Sequence, residues 1–320
     1  MTVSGQDKIV TAVTEDGSVS LVSGAHGELY HNRAGAYAEA LRDYAEVALT
    51  VWKILYGEDL LPQLNVLDCC FGLGYNSLAL AQELPPGIDL NVTAIELDAR
   101  AIAFVPEVLA QSCFQRLVQA GVDSAQAASL GQFQKTIIQK SSPQAIDKKS
   151  TLTFDLIQSC LREYFRTTQL PAASCDLILH DPFSPRKMPE LWTIDLFAKY
   201  KNVLKENGII ITYSSAPAVR GALMDLGFSV YRTPAVGGKF GGTLAVNGKA
   251  LESQMLSGLL SQRITRPTDD ELIVLTKSSR VPYRDPLLNA DRETIFATRL
   301  EEQEKFGASS LARDPQIRRN

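Results

Sequence analysis

The chain has 320 residues, with 32 Lys or Arg against 36 Asp or Glu, a net charge of −4. That length suits one large α/β domain with appendages, and no apolar run approaches the roughly 18 residues needed to span a bilayer. The N-terminus lacks a basic start followed by an apolar core, so no secretory signal is expected. Five cysteines without a CxxC or Cys/His cluster argue against structural zinc or another metal and suit a reducing cytoplasm. The charge is uneven: residues 1–110 carry 5 basic against 15 acidic residues, and residues 111–320 carry 27 against 21. A basic remainder can hold a nucleic acid through one face, although solvated charge spread over helices accounts for the same counts.

Residues 1–60 read as an N-terminal extension. Val19-Ser-Leu-Val22 and the glycine-rich approach to Tyr30 suggest a short hairpin or arm. Ala34 to Leu55 has helical spacing, with Ala38, Leu41, Ala45, Ala48, Val51 and Ile54 on one face. Strand Leu64–Asp68 then opens into Cys69-Cys-Phe-Gly-Leu-Gly-Tyr-Asn-Ser77, a turn in which Gly72 and Gly74 keep Cβ atoms out of a ligand's way. Ser77–Leu84 has helical spacing, so the turn delivers a ligand to a helix N-terminus. A second strand, Asn91–Glu96, ends in an acid placed to hold two ribose hydroxyls.

Strand, glycine turn, helix, strand, acid is a nucleotide-binding arrangement; the bland alternative is a tight turn that binds nothing. The dinucleotide fingerprint wants a third glycine where Ser77 stands, and no Walker pattern supports ATP. Asp68, four residues before Gly72, would repel a pyrophosphate, whereas it suits the ammonium and sulfonium of S-adenosylmethionine. The residues therefore point to that cofactor.

Further on, Ala99–Leu117 reads as a helix broken near Pro106, and about 118–150 as a Gln/Ser/Ala/Lys-rich insertion, partly helical and mobile. Strands follow at Leu152–Ile157 and Asp176–Leu179, the latter stopping at His180-Asp181-Pro182. Glu190–Leu204 reads as a helix terminated by Asn207-Gly208. Then come strand Ile209–Tyr213, helix Ala218–Leu226, and an antiparallel edge from Phe228–Tyr231 and Thr243–Val246. Residues 247–320 form an appendage containing a short strand or helix at 270–275, a charged helix at Arg292–Lys305 and a disordered end. The expected fold is α/β and Rossmann-like, a mainly parallel sheet with an antiparallel edge strand over 61–246. Asp68, Glu96 and Asp181 would each close a strand and face one crevice.

His180-Asp-Pro-Phe-Ser-Pro-Arg-Lys-Met-Pro-Glu-Leu-Trp192 is the second informative stretch. Three prolines restrict the loop, and Phe183 and Trp192 can stack on a flat ring. Asp181 can accept a proton from an amine attacking a methyl group, or it can merely cap the loop.

Here the chain resembles the methyltransferase half of MnmC-type bacterial tRNA enzymes, in a stand-alone form without the flavin oxidase half. Five stretches between about residues 14 and 246 carry the resemblance: Glu15-Asp-Gly-Ser18, Tyr30-His-Asn-Arg-Ala-Gly-Ala-Tyr-Ala-Glu-Ala40, Asp68–Asn76, Asp181–Trp192 and Lys239-Phe-Gly-Gly-Thr-Leu-Ala245. It implies a class I S-adenosylmethionine-dependent methyltransferase fold and methylation of the aminomethyl group on a wobble uridine in the tRNA anticodon loop. By motif, Asp181 would be the active-site acid, and Asp68, Gly72, Gly74, Asn76 and Glu96 cofactor contacts. Tyr30 and Glu39 would lie in a segment closing over the cofactor, and Lys187 and Lys239 near a tRNA-facing rim.

Two departures stand out. Cys70 occupies the position of the turn's usual first glycine, and Gln158-Ser159 replaces the Gly-Asp that meets adenine, leaving Ser159 an uncharged acceptor. No second nucleotide-binding motif appears, so no oxidase activity is expected. Two other functions remain open: a small-amine N-methyltransferase or aminopropyltransferase, and an RNA-binding protein with a decayed cofactor site.

Overall fold

The computed structural model describes residues 10–23, 28–56, 62–122, 131–139, 148–233, 241–248, 251 and 264–313. The chain divides into two compact units. The first gathers Met1–Cys160, Leu179–Phe183 and Val236–Lys239; the second gathers Leu161–Ile178, Ser184–Ala235 and Phe240–Asn320. The fold is α/β, with a mainly parallel sheet and antiparallel edges. No described helix is long and apolar enough to cross a membrane.

The first unit opens with a small antiparallel sheet, β1 (Val10–Val13), β2 (Val19–Ser23) and β3 (Glu28–Leu29). Asp16, in the β1–β2 turn, accepts hydrogen bonds from Thr14 Oγ1 (2.7 Å), the Ser18 amide (2.9 Å) and the amide of Ala38 (2.9 Å). The last of these belongs to the first turn of helix α1 (Ala36–Glu39), so a carboxylate remote in sequence satisfies an orphan helix donor. The neighbouring Gly35 is obligatory, because a Cβ there would lie 2.3 Å from Asp16 Oδ2. This explains physically why the Glu15-Asp-Gly-Ser18 stretch is informative.

Helix α1 does not continue regularly. It enters a π-helical turn, Ala40–Ala45, and resumes as α2 (Glu46–Tyr56). The buried residues are Ala36, Ala40, Tyr44, Ala45, Val47, Ala48, Val51 and Trp52, while Ala38, Leu41 and Ile54 of the expected face are only half-buried. The i→i+5 ladder widens the spacing, and a 3.6-residue reading cannot anticipate that shift.

Strands β4 (Gln63–Cys69) and β5 (Asp89–Glu96) pair in parallel, Asp68 opposite Ala94. Helix α3 (Tyr75–Glu83) connects them, and every residue from Tyr75 to Ala81 is buried. The expected helix from Ala99 breaks into α4 (Ala99–Ala103), α5 (Val105–Leu109) and, after a 3-10 turn, α6 (Gln115–Gln119). The first break falls at Phe104, since Pro106 is tolerated in the opening turn of α5.

The insertion is corrected. Gly131–Gln139 is a strand, β6, antiparallel to β7 (Lys148–Gln158), with Phe133 opposite Phe154. Long-range pairing overrides weak local preference here. Strand β7 also pairs in parallel with β5, Glu96 opposite Gln158, so the first unit's strand order is β4-β5-β7-β6.

In the second unit, α7 (Leu161–Thr167) precedes β8 (Cys175–His180), whose last two residues belong to the first unit. A 3-10 turn (Pro189–Leu191) leads to α8 (Ile194–Val203), capped by Thr193. Strand β9 (Leu204–Thr212) follows at once. Asn207-Gly208 therefore lies inside a strand rather than ending a helix; Asn207, with φ +63°, donates its amide to Asn247 O at 2.7 Å. Helix α9 (Pro217–Asp225) and the antiparallel strands β10 (Ser229–Arg232) and β11 (Thr243–Val246) complete the order β10-β11-β9-β8. Helix α10 (Asp269–Val274) starts with a Thr268/Glu271 capping box, and α11 runs from Arg292 to Arg313. The expected disorder at Arg318–Asn320 falls outside the described residues.

Candidate active site

The turn after β4 departs from ordinary backbone geometry. Cys70, Gly72 and Gly74 all have positive φ, +66°, +57° and +82°. Cys70 thus holds the left-handed conformation that glycine adopts more cheaply. Burial pushes the Cys70 thiol well above its usual range, so it stays protonated. Gly74 admits no side chain, because a Cβ would lie 2.5 Å from Phe71 Cζ.

Two acids bracket this turn. Asp68 is fully buried; Ser77 donates to its Oδ2 at 2.5 Å, and its Oδ1 has no hydrogen-bond partner among the described residues. Burial raises its pKa to about 7, opposed by the Ser77 bond and reinforced by the charges of Asp181 and Glu96. Glu96 accepts the Gly72 amide (2.7 Å) on Oε2 and the Asp98 amide (2.7 Å) on Oε1. It therefore fastens the turn to the end of β5. Burial raises its pKa against these backbone bonds.

An unsatisfied buried carboxylate oxygen beside a glycine turn fits a ligand bearing an ammonium. Asp68 would hold that group and Glu96 a pair of ribose hydroxyls. Asp98, absent from the expected set, accepts the Tyr30 hydroxyl at 3.1 Å. Tyr30 also sits where a Cβ on Gly72 would be 3.5 Å from its ring, and it meets Phe183 edge-on at 5.2 Å. Burial, then the negative charges of Asp98 and Glu96, raise its phenol pKa and keep it a donor. Glu39 accepts the Asn32 amide at 2.7 Å, tying the Tyr30-His-Asn32 segment to α1. Ser159 is held by its amide to Glu96 O (2.9 Å), and its hydroxyl donates to Cys160 O at 3.2 Å.

Asp181 follows β8 directly. Its amide donates to Cys69 O at 3.2 Å, beside the glycine turn. Tyr44 Oη donates to Oδ1 at 2.7 Å, and Asn76 Nδ2 donates to Oδ2 at 2.8 Å. Asn76, expected at the cofactor, thus spends its amide on the acid.

The remaining substrate-side residues fare differently. Phe183 is half-buried beside Tyr30. Trp192 has no exposed surface, packs edge-on against Tyr213 at 5.8 Å, and leaves no face for a base. Lys187 is half-buried in a turn closed by its amide to Ser184 O (2.8 Å), and Lys239 lies outside the described residues. Sequence reading missed Tyr44 and Asp98. Tyr44 resembles an ordinary core aromatic, whereas an acid two residues beyond Glu96 was a signal available to it.

Comparison with known proteins bears on this geometry. Residues 125–248 match the family described as S-adenosyl-L-methionine-dependent methyltransferase. The chain is 27% identical over 301 residues to an uncharacterized protein of Methanocaldococcus jannaschii, covering 94% of this chain and 74% of that one. It is 25% identical over 243 residues to the Burkholderia vietnamiensis tRNA 5-methylaminomethyl-2-thiouridine biosynthesis bifunctional protein MnmC, covering 73% of this chain and 35% of that protein. It therefore spans about a third of this longer relative. In fold it is similar to crystalline MnmC2 of Aquifex aeolicus, with TM-score 0.67, 22% identity, and 95% and 87% of the two chains covered.

Proposed function

We propose that this chain, an S-adenosyl-L-methionine-dependent methyltransferase related to MnmC, methylates the aminomethyl group of a wobble uridine in tRNA, giving 5-methylaminomethyluridine. The observation carrying this reading is the Asp181 carboxylate, anchored through its amide and both oxygens beside the glycine turn. The likeness to MnmC proteins, named for tRNA 5-methylaminomethyl-2-thiouridine biosynthesis, supports the choice of acceptor.

When bound, the cofactor supplies a methyl group on a sulfonium. An aliphatic amine is largely protonated at neutral pH, so its nitrogen must lose a proton before attacking carbon. Asp181 would attract the ammonium electrostatically and take up that proton, leaving the nitrogen lone pair free for the methyl group that the cofactor would supply. Asp68 would hold the amino-acid end and Glu96 the ribose, aligning nitrogen, carbon and sulfur. Phe183, at the start of the proline-rich loop, can stack on a base splayed from an anticodon loop.

Methyl incorporation measured separately with bulk tRNA and with polyamines tests the acceptor. Incorporation into tRNA is expected, with mass spectrometry finding the product on uridine; polyamine methylation alone would overturn the reading. Asp181→Asn is expected to lower transfer by about 10²- to 10⁴-fold, the range for a lost general base, with cofactor affinity retained. Normal turnover would leave Asp181 a loop cap.

A further inference from the structure

The π-helical turn Ala40–Ala45 interrupts an otherwise regular helix without a glycine or proline to excuse it. Such a turn admits an extra residue and rotates the downstream face by about 100°, one residue's share of a 3.6-residue turn. It leaves a looser backbone ladder, so it persists where the surrounding structure gains from the rotation. The gain here is visible. Tyr44 has no exposed surface, and its hydroxyl reaches Asp181 Oδ1 at 2.7 Å, across 137 positions of sequence.

Two further anchors meet the same residue. Asn76, in the first turn of α3, holds Oδ2 at 2.8 Å, and the Asp181 amide bonds Cys69 O at the end of β4 at 3.2 Å. A carboxylate turns readily about its terminal torsion, which has no sharp rotamer wells. A donor on each oxygen stops that rotation.

We infer that Tyr44 is a positioning residue for methyl transfer: from the π turn it fixes the plane of the Asp181 carboxylate that takes the acceptor's proton. This rests on the reading of Asp181 as proton acceptor. Tyr44 touches neither cofactor nor acceptor in this role; it acts through Asp181. Misorientation of a base by a fraction of an ångström or a few tens of degrees is felt in the rate rather than in binding.

Tyr44→Phe removes one oxygen and keeps the ring in the core. Single-turnover methyl transfer to bulk tRNA is compared for wild type, Tyr44→Phe, Asp181→Asn and the double variant, with S-adenosylmethionine affinity measured by calorimetry. Tyr44→Phe is expected to slow transfer about 10- to 100-fold at saturating substrates, the scale of a hydrogen bond to a charged group. Its KM for tRNA and its cofactor affinity should stay within about twofold of wild type, as for an interaction that matters in the transition state.

In the Asp181→Asn background the same change should cost nothing further, because the partner through which it works is gone. An equal loss in both backgrounds overturns the inference, as does a wild-type rate for Tyr44→Phe alongside a slow Asp181→Asn. If Asp181→Asn itself turns over normally, the proton-acceptor reading fails first. Should Tyr44→Phe melt early, Asn76→Ala removes the other anchor and must show the same pattern; additive losses would refute carboxylate positioning.

Discussion

Asp68 is the residue whose environment most constrains its chemistry. Its carboxyl is buried, one oxygen has no partner among the described residues, and its pKa stands near 7 rather than 3.8. Between about pH 4 and pH 7 the folded chain therefore holds a proton that the unfolded chain has released. The residue's contribution to stability falls as pH rises through that window and is level above it. An ammonium at Oδ1 reverses the preference and favours the carboxylate. Binding of S-adenosylmethionine at pH 6 should release a proton, and its affinity should climb as pH rises toward 7. Calorimetry in buffers of different ionisation enthalpy reads the release directly, and Asp68→Asn should abolish it. Proton release unchanged in that variant would remove Asp68 from the cofactor site.

At the scale of elements, the segment after β11 has a structural part to play. Within the second unit, the Tyr283 carbonyl accepts the Ile194 amide at 3.0 Å, and the Asp285 amide donates to Asp195 Oδ2 at 2.6 Å. Arg292 donates to Arg186 O at 2.6 Å, in the loop that begins at Asp181. The appendage thus clasps both that loop and the first turn of α8. Asp285 is the hub: it is 1% exposed and pairs with Arg162 at 2.6 Å while accepting the amides of Asn289 and Ala290. Asp285→Ala leaves the half-buried Arg162 without its anion and removes the acceptor of two backbone amides, and should cost about 2 to 3 kcal/mol, measured by denaturant unfolding. A loss of only a few tenths would mean that water compensates Arg162.

Elements also show where sequence reading reaches its limit. The strand–turn–helix–strand run from β4 to β5 is legible because local spacing and burial agree. The π turn, strand β6 and the early start of β9 are not, because tertiary pairing sets each of them against local preference. Trp192 shows the converse: an aromatic in a chemically suggestive loop proves to be core packing.

For the whole molecule, the charge imbalance between residues 1–110 and 111–320 makes a test of the acceptor. If the basic remainder meets tRNA phosphates, apparent affinity should fall steeply with salt, with a log–log slope of about −3 or steeper for a handful of contacts. Filter binding across a salt series measures that slope, and a shallow one would favour a small amine.

By itself the sequence determined the class of fold, the glycine turn, and the two acids that flank it. These are local patterns, carried by alternation, spacing and the conformational freedom of glycine. It also pointed to Asp181 through the proline-rich stretch that begins where a strand ends. Only the tertiary structure decided how that acid is held. Tyr44, Asn76 and Cys69 reach it from a π turn, a helix start and a strand end, and no spacing along one chain encodes such a convergence. Residues far apart in sequence acquire joint chemistry only when packing brings their polar groups to the same residue.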